Sequence, residues 1–225
     1  MREALRAGAV LEVFATAEAI TRHADLLAGT DAAEISPKSA ASLSETVSPQ
    51  GLVAVCRRID VSLETAFEPV PRLVAVLVEP TDPGNAGTIL RTADAAGADA
   101  VVLAGGVDVY NGKAVRASAG SLFHLDVVVE NSTARVLAAA QARGCTTLAT
   151  TGSGASDLDD LAEDGTLARR TVWFFGSEAH GLPEEVVSAA DHAVGVPIYG
   201  RAESLNLAAA AAVCLYASAR AHRAR

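Results

Sequence analysis

Three short segments of this chain carry side chains whose types and spacing suit chemistry. The first is Asp82-Pro83-Gly84-Asn85-Ala86-Gly87, with Arg91 a helical turn further on. Asn85 and Arg91 stand six residues apart across a turn and the opening of a helix, so both can approach one pocket. The second is Phe174-Phe175-Gly176-Ser177-Glu178-Ala179-His180-Gly181-Leu182-Pro183, where Glu178 lies between two glycines that let backbone pass close to a ligand. The third is Val196-Pro197-Ile198-Tyr199-Gly200-Arg201-Ala202-Glu203-Ser204-Leu205-Asn206-Leu207, in which Ser204 and Asn206 precede an Ala-rich helix. Such groups, gathered on turns, can position a polar substrate and stabilise charge that develops on it. Each also has a plainer reading: Arg91 as a surface salt-bridge residue, Glu178 as a helix cap, Ser204 or Asn206 as an N-cap. Lys113 and Arg116, within Tyr110–Gly120, fall one helical turn apart and suit either a phosphate or a solvated helix face. His124 and His180 have no carboxylate or Ser at catalytic spacing and read as core or surface histidines.

These residues need a frame, and the apolar runs supply one. Residues 73–78 (LVAVLV) predict a strand buried on both faces, followed by a turn and a helix through about Ala96. Further strands are predicted at Ala100–Leu103, Leu125–Val129, Thr146–Thr150, Val172–Phe175 and Ala193–Val196. Helices are predicted at Thr133–Arg143, Pro183–Ala190 and Leu207–Ala221. Strands alternating with helices predict an α/β fold on a parallel sheet, with its site at the strand C-termini. The distinctive polar residues all follow strand ends. Before residue 70 the pattern changes to a short strand at Leu11–Ala15, a helix at Ala17–Leu27, a strand from Ile35, a helix at Ala40–Glu45 and a strand at Gly51–Cys56. The expected domains are therefore a small α/β unit at 1–60, a linker at 61–71 with Pro69 and Pro71, and a larger unit at 72–225.

Together the three segments resemble the signature motifs of the SpoU/TrmH-type RNA ribose 2′-O-methyltransferases of the SPOUT superfamily, over roughly residues 70 to 220. The resemblance implies S-adenosylmethionine as cofactor, a C-terminal trefoil knot and a homodimer. It places Arg91, Asn85, Glu178, Ser204 and Asn206 at the catalytic centre. Gly176, Gly181, Val196, Ile198, Leu205 and Leu207 would hold the cofactor, and Lys113 and Arg116 the RNA. The family's arginine is usually given the proton-accepting role. A guanidinium stays protonated, so Arg91 is better read as positioning the nucleotide and stabilising alkoxide charge. The first unit resembles a ribosomal-protein-like substrate-binding domain, most clearly in Thr46–Ala54. That module usually begins with a further strand and helix, whereas this chain starts at Arg2-Glu3-Ala4-Leu5 within the helix, which implies a truncated N-terminus. Ribosomal RNA is the favoured substrate, with transfer RNA the alternative. A non-catalytic ribosome-assembly factor of the same fold is disfavoured by the intact residue set.

Bulk properties set further bounds. The net charge of −9 opposes broad nucleic-acid affinity, so phosphate contact must be local. Asp157, Asp159, Asp160, Glu163 and Asp164 read as one loop-like stretch away from the motifs, whereas Arg91, Lys113, Arg116 and Arg201 lie near them. This predicts weak non-specific binding and a structured RNA target. No apolar run approaches the ~20 residues of a membrane span, Ala208–Ala219 being the nearest. The start lacks a signal-peptide core. Cys56, Cys145 and Cys214 are unpaired in spacing, as expected of buried reduced thiols in a cytoplasmic protein with no metal. The strand at 73–78 is not followed by G-x-G-x-x-G, and there is no P-loop, which disfavours a dinucleotide-binding oxidoreductase. Arg220, His222, Arg223 and Arg225 read as a solvated helix end.

Overall fold

The computed structural model describes every residue except Glu45, Val47, Ser153 and Arg225. Two compact units divide the chain, Met1–Ile59 and Asp60–Arg225. The first contains α1 (Arg2–Arg6), β1 (Val10–Ala15), α2 (Ala17–Arg22), α3 (Ala24–Leu27), β2 (Ala32–Glu34), α4 (Pro37–Ser44) and β3 (Leu52–Cys56). Among the described residues these strands form one sheet ordered β2-β1-β3, parallel between β1 and β2 and antiparallel between β1 and β3. Its core of Val13, Ala15, Ala19 and Leu27 is small.

The differences from expectation in this unit are local. His23 leaves helical geometry (φ −115°, ψ 29°), so the helix expected at Ala17–Leu27 is two short ones. The strand expected from Ile35 ends at Glu34, because Pro37 already opens α4 and proline suits a first helical turn. That helix starts before the expected Ala40 and reaches Ser44, while Glu45, and Val47 of the Thr46–Ala54 segment, lie outside the described residues.

The second unit contains α5 (Leu63–Ala66), β4 (Leu73–Val78), α6 (Pro83–Ala96), β5 (Ala100–Ala104), α7 (Gly112–Ala117), β6 (Asp126–Val129) and α8 (Thr133–Ala142). It continues with β7 (Thr146–Thr150), β8 (Ser156–Asp157), α9 (Leu158–Glu163), β9 (Thr171–Phe175), α10 (Glu184–Ala189), β10 (His192–Gly195) and α11 (Leu207–Arg223). Among the described residues its sheet has seven strands ordered β6-β5-β4-β9-β7-β10-β8, and every pairing is parallel. All residues of β4 and β9 are buried, as central parallel strands covered on both faces must be. Val76 of β4 lies opposite Val102 of β5 and Phe174 of β9.

Two helices place the site. α6 begins where Asp82 Oδ1 accepts the Gly84 N–H (2.8 Å), with Pro83 in the first turn, and ends at left-handed Gly97. A Cβ on Gly87 would lie 2.3 Å from the Ala114 carbonyl oxygen, so glycine is what lets α6 meet α7. α11 buries Ala208, Ala211, Cys214, Leu215, Ser218 and Ala219, a spacing that puts them along one stripe. Ser218 Oγ accepts the indole N–H of fully buried Trp173 (2.9 Å). Burial pushes the Cys214 thiol up to about 12, so it stays protonated. Cys145 is also buried, whereas Cys56 is only partly so.

Three expectations for this unit need correction. The segment expected as a linker is packed, because Leu63, Ala66 and Phe67 join the core of the larger unit and Val61 N–H bonds to the Val127 carbonyl (2.9 Å). The acidic stretch is helical: Asp157 caps α9, and Leu158 and Leu161 bury one of its faces. The basic end of α11 is docked, since the Arg72 guanidinium donates to the His222 carbonyl (2.6 Å) and His222 Nε2 meets the Arg169 carbonyl (2.7 Å). Arg225 lies outside the described residues.

Candidate active site

The sheet order makes neighbours of β4 and β9, so the turns that follow them meet at one edge. After β9 the chain closes a small loop. Ser177 N–H bonds to the Gly181 carbonyl (3.1 Å), and Gly181 N–H returns to Ser177 (2.9 Å). A Cβ on Gly176 would sit 2.1 Å from the Gly181 carbonyl carbon, so only glycine permits this backbone contact. Gly181 itself takes φ 69°. The loop holds Glu178 out at the sheet edge, exposed but fully engaged. Glu178 Oε1 accepts the Asn85 side-chain N–H (2.7 Å), while Oε2 accepts both the hydroxyl (2.7 Å) and the backbone N–H (3.1 Å) of Thr81. Burial pushes its carboxyl up, but the bonds from Asn85 and Thr81 outweigh that and hold it at about 2.

The third turn joins through Asn206. Its Oδ1 caps α11 by accepting from Ala208 N–H (2.9 Å) and Ala209 N–H (3.4 Å), and its NH2 donates to Asn85 Oδ1 (3.3 Å). Asn206, and not Ser204, is therefore the cap. Asn85, Glu178 and Asn206, remote in sequence, form one hydrogen-bonded chain.

Beside this chain lies a cavity of about 690 Å³. Its lining includes Gly176, Gly181, Val196, Ile198, Leu205 and Leu207, together with Glu178, Ser204 and Asn206. Sequence reasoning missed Thr150, Thr151 and Gly152, which line it from the end of β7. Their available signal was the position of that predicted strand's C-terminus, where sites in parallel sheets gather. Residues 198–206 are exposed throughout. Tyr199 Oη donates to Asp159 Oδ2 (2.6 Å), so the acidic segment touches the third motif instead of standing apart from it.

Asn85 and Arg91 do not line the cavity. Asn85 sits at its rim through the bonds above. Arg91 is exposed on α6 and makes no hydrogen bond or ion pair among the described residues, which leaves its guanidinium open to a ligand. Lys113 is paired with Asp82 (2.6 Å), so a phosphate would have to compete for it. Arg116 is exposed without such a partner among the described residues. His124 does have a carboxylate, Asp94 Oδ2 at 2.8 Å, which its sequence spacing concealed. That pair is nine residues along α6 from Asn85, about 13 Å at 1.5 Å per residue, so it stands apart from the cleft. His180 is exposed, and its backbone N–H donates to Ser177 Oγ (3.3 Å).

A model of the SpoU rRNA Methylase family matches residues 72–216, most of the chain and all three turns. The chain belongs to the SpoU rRNA methylase family. Among its relatives, the 23S rRNA (guanosine(2553)-2′-O)-methyltransferase of Bacillus subtilis (strain 168) is 34% identical over 217 residues, 96% of this chain and 84% of the relative. The SpoU methyltransferase AviRb from Streptomyces viridochromogenes, solved in complex with AdoMet, superposes with a TM-score of 0.84 at 31% identity, covering 99% of this chain and 87% of that one. The AdoMet-bound rRNA methyltransferase from Sinorhizobium meliloti gives a TM-score of 0.82 at 29% identity, covering 97% and 83%. The likeness to these two solved structures covers nearly the whole chain, whereas the family model covers residues 72–216.

Proposed function

We propose that this SpoU-family chain transfers a methyl group from S-adenosylmethionine to a ribose 2′-hydroxyl of structured RNA, with 23S ribosomal RNA as the favoured substrate. The observation that carries this reading is the hydrogen-bonded chain from Asn206 through Asn85 to Glu178, which ties three turns together at the rim of one cavity.

The cavity suits the cofactor. Its volume lies within the roughly 300–1,000 Å³ of small-molecule sites, and Ile198, Leu205 and Leu207 give it apolar walls beside the glycine-bounded Glu178 turn. When bound, S-adenosylmethionine supplies an electrophilic methyl group on a sulfonium. The chain's own residues then have separable tasks. Gly176 and Gly181 let backbone approach the ligand, and the Asn206 chain fixes the rim. Arg91 holds the target nucleotide and stabilises negative charge growing on the 2′-oxygen. Its guanidinium does not serve as the base, so the proton leaves through an RNA phosphate. Arg116, and Lys113 once freed from Asp82, contact the RNA backbone, which keeps binding local on a protein of net charge −9.

The proposal extends to a trefoil knot, a homodimer and a cytoplasmic site of action. The insertion of β9 between β4 and β7, and of β10 between β7 and β8, is the strand order that supports threading. Val213 and Tyr216 are exposed apolar residues on α11 beside a groove of about 540 Å³, and they support a second copy there. Met1–Ile59 is proposed as the unit that selects the RNA.

The test is methyl transfer to RNA from cells lacking the gene, followed by digestion to nucleosides and mass spectrometry. A 2′-O-methylated nucleoside gained in the 23S fraction is expected. Methyl groups on a base, or no transfer to any RNA, would refute the reading.

A further inference from the structure

We propose that Thr81 is a positioning residue for the transfer, acting through Glu178 to decide which end of the Asn85 amide faces Asn206 and the cleft. Two independent pieces of chemistry determine the amide orientations. Glu178 is anionic and can only accept, so the Asn85 group 2.7 Å from its Oε1 is the NH2. That leaves Asn85 Oδ1 turned toward Asn206. Asn206 uses its own Oδ1 to cap α11, so its NH2 is the group that remains for Asn85. The bonds therefore run one way, from Asn206 to Asn85 to Glu178.

Thr81 holds the far end of this chain. Its backbone N–H on Glu178 Oε2 survives any substitution except proline, whereas the hydroxyl bond at 2.7 Å is what the side chain adds. With both donors on Oε2, only Oε1 faces Asn85. Glu178 is exposed on a turn. Without the hydroxyl its carboxylate can rotate, and the Asn85 amide is free to flip. A flipped amide would set NH2 against NH2 at Asn206, donor facing donor. Thr81 acts in this scheme only through Glu178, and it stands 97 residues from it in sequence.

The inference rests on the cleft being the catalytic centre, so the experiment includes Arg91→Ala. Methyl transfer from S-adenosylmethionine to saturating RNA from cells lacking the gene is measured for the wild type, Thr81→Val, Thr81→Ser and Arg91→Ala. Thr81→Val is expected to lower kcat roughly tenfold, as loss of one bond to a charged group does. Its S-adenosylmethionine affinity by calorimetry should match the wild type, and its melting temperature should fall by no more than a few degrees, the cost of one exposed bond. Thr81→Ser, which keeps the donor, should recover kcat to within about twofold. A Thr81→Val protein with wild-type kcat overturns the inference, as does a Thr81→Ser protein as slow as Thr81→Val. So does a loss of rate accompanied by a large fall in melting temperature and weaker S-adenosylmethionine binding, since Thr81 would then be merely structural. If Arg91→Ala is inactive while Thr81→Val is normal, only the role of Thr81 falls. If Arg91→Ala remains active, the reading of the cleft falls with it.

Discussion

The middle of the seven-stranded sheet and its carboxyl edge are built from opposite chemistries. β4 and β9 are apolar and buried along their whole lengths. A few residues further on, Asn85, Glu178 and Asn206 are polar and joined by hydrogen bonds. The centre is held by area removed from water, which is non-directional and tolerant of sequence. The edge is held by bonds whose donors and acceptors must match. The two regions therefore rest on different residues, and substitutions should separate stability from the proposed activity.

The largest effect is expected at the centre. Trp173→Ala removes a fully buried indole that donates to Ser218, and should cost about 3–5 kcal/mol of stability in denaturant unfolding. A loss below about 1 kcal/mol would mean that the core does not depend on β9 packing against α11. At the edge, Leu205→Arg puts a guanidinium on the cavity wall. It should weaken S-adenosylmethionine binding by about 2–3 kcal/mol in calorimetry while leaving unfolding nearly unchanged. Equal binding to the wild type would remove the cofactor from this cavity.

Gly176→Ala lies on the boundary between the two regions. Its Cβ would overlap the Gly181 backbone, so a loss of about 1–3 kcal/mol of stability is expected together with weaker cofactor binding. A change in only one of the two would separate loop from sheet. The smallest effect concerns pH. The folded Glu178 carboxyl sits at about 2, below its ordinary 4.5, so the stability it adds is present above about pH 4.5 and disappears as pH falls through about 2. Melting curves of the wild type and Glu178→Gln should differ slightly at neutral pH and converge in acid. A difference as large at pH 2 as at neutral pH would contradict the assignment.

The same contrast explains what could be read from the sequence. The buried strands were legible because LVAVLV and VWFF are continuous apolar runs, and α6 was legible at its end near Ala96. Its start was not, because the Gly84–Gly87 segment that reads as a turn is already helical behind the Asp82 cap. The packed segment around Phe67 reads as a linker because its prolines mask the apolar spacing of Val61, Leu63 and Phe67. α9 reads as a loop because its run of acids hides a cap at Asp157 and an apolar face at Leu158 and Leu161. In the candidate site, motif resemblance pointed to the three turns that the bonds among Asn85, Glu178 and Asn206 join. It did not find Thr81 or Thr150–Gly152, whose contributions depend on which strand ends lie side by side. Strand order is a non-local property, and no local pattern near Thr81 announces a carboxylate arriving from 97 residues away.

The most direct test of the central claim is a paired measurement on Arg91→Ala, with cofactor affinity by calorimetry and methyl transfer to RNA from cells lacking the gene. Arg91→Ala should keep wild-type affinity for S-adenosylmethionine and methylate about 10²–10³-fold more slowly, the usual cost of removing a group that stabilises developing charge. Methylation at the wild-type rate would contradict it.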